Sequence, residues 1–381
     1  MRSELERDFE RFKRELPRDF PAHVRETYGI DLTARYLGET IPHPIGKGSG
    51  QLSLNESQLV DDAAAGLGFV VLKTVIAQDE AGSQSMGAWA IHETKMKVER
   101  RRAASGRTGW TVTWKGRGWD RTLDEYLALV QVGRDLTRAR SLLVVPSVKY
   151  HLPRLDESFR DAEYAYTTRG LAGAWGESPL LVEKDFSPTL AGDSLAGDRD
   201  QILRWVRDVP GRIRAASPIP VRIAVKLMNA RFDDTFQLEM LQAAFGADAL
   251  VCFNRLFDQA AGVAYGGWDL SDRNLRVLDA MAPGVRPGLC GTGNICSGRM
   301  IVEYARRGCE SVQLHTFFQL PLSEYPATHG SRTQRALHAL LFDPRDGLVA
   351  ALLALEAAGG LERRTGVLHF LDLAAGAHHP G

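Results

Sequence analysis

One stretch limits the folds open to this chain more than any other: GLCGTGNICSGRMIVEYARRGCESVQLHTF, Gly288 to Phe317. It reads as a short buried strand, a Gly-Thr-Gly turn, a helix starting near Ser297, a stop at Gly308, and a second buried strand from Ser311 to Leu314. Gly291 and Gly293 leave backbone N–H groups uncovered just ahead of that helix. Orphan donors and the helix dipole together favour an anion there. In a (β/α)8 barrel this is the phosphate site between strands seven and eight, provided the chain supplies the other six strands.

Those strands can be read in order. His43 to Lys47 runs into Gly48-Ser49-Gly50, and Asn55 caps the following helix. Gly68 to Val75 is a continuous apolar run, as a buried parallel strand should be, except for Lys73 near its end. Ser141 to Val148, Pro179 to Lys184, Val221 to Leu227 (ending in Lys226) and Ala247 to Asn254 supply strands three to six. Asp233 and Ser271 read as caps of the helices after strands five and six. Strands alternating with helices predict an α/β fold, a (β/α)8 TIM barrel. The expected domains are a helical extension over 1–40, the barrel over 41–330, and C-terminal helices packed on it over 331–381.

Two segments stand outside this alternation. Residues 2–16 place Leu5, Phe9, Phe12 and Leu16 on one helical stripe, which fits a cap on the barrel bottom or a homodimer contact. Residues 76–121 read as a long insertion after strand two. Its basic run ETKMKVERRR reads as a solvated face, and Thr111, Val112 and Trp114 as part of a small hairpin over the mouth. The segment LAGDSLAGD, after Thr189, is small-residue-rich and suits a moving lid.

Composition narrows the partners. Lys+Arg and Asp+Glu both number 47, so nothing draws the chain to nucleic acid. Cys252, Cys290, Cys296 and Cys309 form no Cys-x-x-Cys pair, which argues against a disulfide framework, a structural metal or an iron–sulfur cluster. No apolar run reaches membrane-spanning length, and no secretory leader is evident, so a cytoplasmic location is expected.

The strand ends share a character. Ser49, Lys73, Ser187, Lys226, Asn254, Gly291 to Asn294 and Thr316 are mostly polar, whereas the strand interiors are apolar. Catalytic groups of such barrels sit at that rim. Two strand-end lysines beside one phosphate turn suit an anionic cofactor whose ring gathers negative charge on reduction, and a flavin fits this description.

In this order the motifs resemble the dihydroorotate dehydrogenase-type FMN barrels, over roughly residues 43 to 320. HPIGKGSG is similar to that family's first strand and flavin turn, VVLKTV to its second strand, DFSPT to its base loop and VKL to the strand with the flavin-ring lysine. CFN, YGG, GTGNICSG and HTF are similar to the later motifs. The resemblance implies FMN bound by Gly48, Ser49, Gly50, Lys73, Lys226, Asn254, Gly266, Gly267, Gly291, Thr292, Gly293, Asn294, His315 and Thr316. It implies Ser187, Lys226 and Lys73 as the catalytic set, with Ser187 transferring a proton, and an oxidoreductase acting on CH–CH groups.

The substrate positions depart from the family pattern. Lys184 stands for the asparagine of the fourth strand, Thr189 for the asparagine after the loop proline, and Thr113 to Gly116 read TWKG. Arg255 follows Asn254, and His315 replaces a glycine. An amide offers a paired donor and acceptor that lysine or threonine cannot reproduce. Lys73, Lys184, Thr189, Asn254 and Arg255 are therefore expected to hold a small, anionic substrate other than dihydroorotate. The electron acceptor stays open. Three other readings remain: an authentic dihydroorotate dehydrogenase, a flavin-free lyase forming a Schiff base on Lys226, and a non-catalytic barrel that binds a phosphate ligand or a partner protein.

Overall fold

The computed structural model describes residues 2–87, 96–102, 108–114, 118–186, 198–230, 232–258, 263–265, 268–282 and 286–376. The chain opens with α1 (Arg2–Phe12), α2 (Phe20–Tyr28), β1 (Ile30–Asp31) and the hairpin β2 (Ala34–Tyr36) and β3 (Glu39–Ile41). The hairpin turns at Leu37 and Gly38, both with positive φ. Such a pair matches the right-handed twist of two antiparallel strands.

The alternating unit then begins. β4 (Ile45–Lys47) leads to α3 (Glu56–Ala64), and β5 (Phe69–Val71) and β6 (Val75–Ile76) to the hairpin β7 (Met96–Arg102) and β8 (Thr108–Trp114) and then α4 (Leu123–Arg138). The described part of the basic run, residues 96–102, is thus a strand, and Arg100 in it stacks on Trp110 and pairs with Glu324. β9 (Leu143–Val145) and β10 (Ser147–Lys149) lead to α5 (Asp161–Trp175), β11 (Leu180–Asp185) to α6 (Arg199–Ala216), and β12 (Val221–Lys226) to α7 (Asp234–Ala243). β13 (Ala249–Cys252) is followed by the hairpin β14 (Leu256–Asp258) and β15 (Val263–Tyr265) and by α8 (Trp268–Asp279). β16 (Gly288–Thr292), α9 (Gly298–Ala305) and β17 (Cys309–Leu314) complete the unit. The chain ends in α10 (Arg332–Phe342), α11 (Leu348–Ala357), β18 (Leu368–His369) and α12 (Phe370–Gly376).

The sheet closes on itself. β4 pairs in parallel with β5 and β17, and pairing then runs through β16, β13, β12 and β11 to β10. β5 pairs with β9, and β6 with β10. Since β5 and β6 are halves of one strand position, and β9 and β10 halves of another, the ring has eight positions and is a (β/α)8 barrel. Pro146 causes the break between β9 and β10, because it has no N–H to give the ladder.

Helix starts follow side-chain chemistry. Asn55, Asp233 and Ser297 each accept a backbone N–H three residues on, at 3.0, 2.8 and 3.2 Å. Each such cap stabilises by about 1 kcal/mol. Ser271 does not cap; it is buried inside α8, which already begins at Trp268.

The barrel floor is plugged from the N-terminal side. Tyr36, from the β2–β3 hairpin, stacks on Phe69 with ring centroids 4.1 Å apart. Gly46 leaves the room for that pair, since a Cβ there would run into the Phe69 ring. β1 and β18 join the two chain ends outside the barrel. No helix among the described residues is long and apolar enough to cross a membrane.

Candidate active site

Residues alternate in and out along each barrel strand, and this decides which groups share the lumen. On β11, Glu183 and Asp185 face inward and Lys184 between them faces out. The neighbours bear this out. Glu183 pairs with Lys226 at 3.4 Å, and Asp185 with Lys149 at 3.4 Å. Lys184 donates to its neighbour's backbone carbonyl, lies 4.4 Å from the centre of the Phe186 ring, and feels Glu163 of α5. The expectation that Lys184 faces a substrate therefore places the strand one residue out of phase; the lumenal side chain is Asp185. A one-residue slip exchanges the two faces of a strand.

The rim carries a line of polar groups. Gly48 donates its N–H to Leu314 O at 3.0 Å. The place a Cβ would take on it is 3.4 Å from Lys226 Nζ and 3.2 Å from Gln313 Oε1, so its missing side chain keeps a cradle open over both. Ser49 Oγ lies 2.7 Å from Thr74 Oγ1. That hydroxyl in turn lies 3.0 Å from Ser147 Oγ and donates to Asp185 Oδ2 at 3.3 Å. Lys73 sits between β5 and β6, buried, with its N–H on Ser53 O. Lys226 ends β12 and is 4% exposed.

The turn after β16 is held from beneath. Gly293 has φ +104° and Asn294 φ +56°, values that suit glycine and asparagine. Asn274 donates to Thr292 O at 2.8 Å and to Phe253 O at 3.0 Å, and Tyr304 OH donates to Thr292 O and Gly293 O at 3.0 and 3.1 Å. The Thr292 hydroxyl is itself committed to Gln313 O, so that residue offers its backbone rather than its side chain to a ligand. Asn294 Nδ2 and both amide atoms of Gln51 are buried with no hydrogen-bond partner among the described residues.

Asn254 and Arg255 follow β13, and both backbone carbonyls are tied to Asn229. His315 follows β17, and Thr316 opens a short 3-10 turn. The His315 ring fills the space beside Gly50 that a Cβ would need. Burial, then the charges of Arg255, Lys73, Lys226 and Lys47, hold its pKa well below the usual 6.5. Arg255, Lys73 and Lys226 thus act together on one neutral imidazole at the rim. Lys47 belongs to the outer layer, where it pairs with Asp62 and Thr333.

Ser187, Thr189, Gly266 and Gly267 lie outside the described residues, as do residues 190–197 of the lid segment; its last residue, Asp198, caps α6. Sequence reasoning missed Tyr36, Glu183, Gln313, Lys149 and Asp185. In LLVEKD the charges fall at three consecutive positions, 183 to 185, so the sequence marked a charged strand end without saying which side chains face the lumen. Among the described residues no cluster of His, Cys, Asp and Glu could hold a metal ion, and the cysteines are free thiols.

No family model matches the chain, and no curated protein matches it. Among solved structures the chain is similar to the crystal structure of DHODH from Eimeria tenella in complex with ferulenol. The TM-score is 0.61 at 13% identity, over 96% of this chain and 91% of that one. The shared fold is a (β/α)8 barrel of the DHODH kind.

The residues present fit a phosphorylated, anionic cofactor. The cradle over Gly48 carries no side chain and borders Lys226 Nζ; Asn294 Nδ2 and the Gln51 amide have no hydrogen-bond partner among the described residues; and Arg255, Lys73 and Lys226 act on His315 at the rim.

Proposed function

We propose that this chain is an FMN-dependent oxidoreductase, dihydroorotate dehydrogenase-like in fold, acting on a CH–CH group of a small anionic substrate. The observation that carries this reading is the side-chain-free position over Gly48, 3.4 Å from Lys226 Nζ, together with the unpartnered buried Nδ2 of Asn294 in the turn after β16. Gly48, Ser49 and Gly50 would hold the flavin ring. Gly291 to Asn294, Gly266, Gly267, His315 and Thr316 would hold its phosphate side. When bound, FMN supplies the hydride acceptor at N5.

The chain's own groups do the rest. Lys226 opposes the negative charge that gathers on reduction. Lys73, Asn254 and Arg255 bind and orient the substrate, with the two cations matching an anionic group. Ser187, three residues ahead of the LAGDSLAGD segment, moves the proton at the neighbouring carbon.

Denaturing the purified protein and identifying the released chromophore tests the reading. One FMN per chain is expected. A colourless protein that takes up no added FMN overturns it.

A further inference from the structure

Beneath the rim, four residues from four elements meet in the barrel. Glu183 Oε1 lies 3.4 Å from Lys226 Nζ. Its other oxygen accepts from Tyr36 OH at 3.0 Å and from Gln313 Nε2 at 2.6 Å. Gln313 Nε2 also donates to Tyr36 OH at 2.9 Å. Glu183 is 0% exposed and Tyr36, Gln313 and Lys226 are nearly so. Buried this far from water, charges act on each other with little screening. Tyr36 is the one member from outside the barrel; it arrives on the β2–β3 hairpin. Burial first, then the charge of Glu183, push its phenol well above 10, so it stays a donor. On the far side of the cluster, Lys226 Nζ and Gln313 Oε1 face the cradle over Gly48.

We propose that Tyr36 and Glu183 are positioning residues that set how much of the Lys226 charge reaches the cradle over Gly48, so that the N-terminal hairpin tunes the reduction potential of the bound flavin. The proposal rests on the FMN reading above. Glu183 draws on the Lys226 charge from below, and each hydrogen bond to its outer oxygen draws negative charge away from Lys226. Removing the Tyr36 donor returns that charge to the ion pair and weakens the positive field at the ring. Reduced flavin, the more negative form, is then held less tightly relative to oxidised flavin, and the potential falls by linkage. Replacing Glu183 with glutamine removes the countercharge and acts in the opposite direction.

The experiment is the midpoint potential of the FMN-loaded full chain, measured by equilibration with a reference dye, in the parent and in Tyr36→Phe, Glu183→Gln and Tyr28→Phe. Tyr28 is the control: its OH donates to Asp8 at 2.8 Å in the same extension, away from the cluster. Tyr36→Phe should lower the ratio of reduced to oxidised FMN affinity about tenfold, which for a two-electron couple is about 30 mV more negative. Glu183→Gln should shift the potential positively, and Tyr28→Phe should leave the ratio within about twofold of the parent. An unshifted Tyr36→Phe, or an equal shift in Tyr28→Phe, overturns the proposal while leaving the flavin reading intact. A parent chain that takes up no FMN overturns both. If Glu183→Gln does not fold, the Tyr36→Phe and Tyr28→Phe pair still decides.

Discussion

Lys149 Nζ and Asp185 Oδ2 lie 3.4 Å apart on neighbouring barrel strands, with side chains only 4% and 8% exposed. Burial alone would raise the Asp185 pKa, but Lys149, Lys226 and Lys184 outweigh it and hold the carboxyl below its usual value. Removing one partner of a buried pair strands the other charge, at about 3–5 kcal/mol. Asp185→Ala should therefore lose about that much stability in a denaturant titration. Lys149→Met with Asp185→Leu, which removes both charges, should lose much less, and this non-additivity is the signature of the pair. A group whose folded pKa is depressed stabilises above its unfolded pKa. This contribution should be present at neutral pH and lost only as the pH falls below about 4.

Lys184 makes the opposite prediction at the alkaline end. Burial is the main cause that pushes its pKa down from 10.5 to about 7. Between those values the unfolded chain binds the proton more tightly than the folded one, so stability should rise with pH, by at most about 1.4 kcal/mol per pH unit. Parent and Lys184→Met should be compared by chemical denaturation between pH 7 and 9. The parent should gain stability across that range relative to the variant; parallel curves would refute the assignment.

The turn after β16 tolerates no side chain at Gly293. Its φ is +104°, and an added Cβ would lie 2.8 Å from Phe253 O and collide with the Asn274 amide. Gly293→Ala should cost on the order of 2 kcal/mol and weaken FMN binding at least tenfold. By contrast, Gly211 is exposed within α6 and has open space at its Cβ position. Gly211→Ala should stabilise by about 1 kcal/mol without touching the cofactor. Thermal unfolding and FMN titration of both variants check this.

Dihydroorotate should bleach the bound flavin slowly or not at all in anaerobic mixing. The lumen places the Lys149–Asp185 pair on strands three and four, and Thr113–Trp114 lies in β8 and carries no asparagine. A site built around buried hydrogen bonds rejects ligands with the wrong donor and acceptor set. Rapid bleaching at sub-millimolar dihydroorotate would contradict this substrate reading.

Part of this arrangement was legible in the sequence because its signals are local. The buried runs, the caps at Asn55 and Asp233, the helix start near Ser297 and the glycine turn before α9 each depend on residues within a few positions of one another. Lys73 and Lys226 stood out as charges at the ends of apolar strands. The network under Lys226 had no such signal. Tyr36 is 147 positions from Glu183, and Gln313 is 130 from Glu183 and 277 from Tyr36. Only barrel closure brings them together. The inward role of Asp185 was hidden by phase: with charges at 183, 184 and 185, composition does not say which one faces in. The β2–β3 hairpin went unread because β2 and β3 are three residues each, too short for an alternation to show.

The central claim, that the mouth over Gly48 and Lys226 holds FMN, is tested most directly by titrating FMN into cofactor-stripped protein and following the quenching of flavin fluorescence. The account predicts saturable quenching at one FMN per chain, with affinity at least tenfold weaker in folded Gly48→Val and Lys226→Met variants. No quenching by the parent, or equal affinity in parent and both variants, would contradict it.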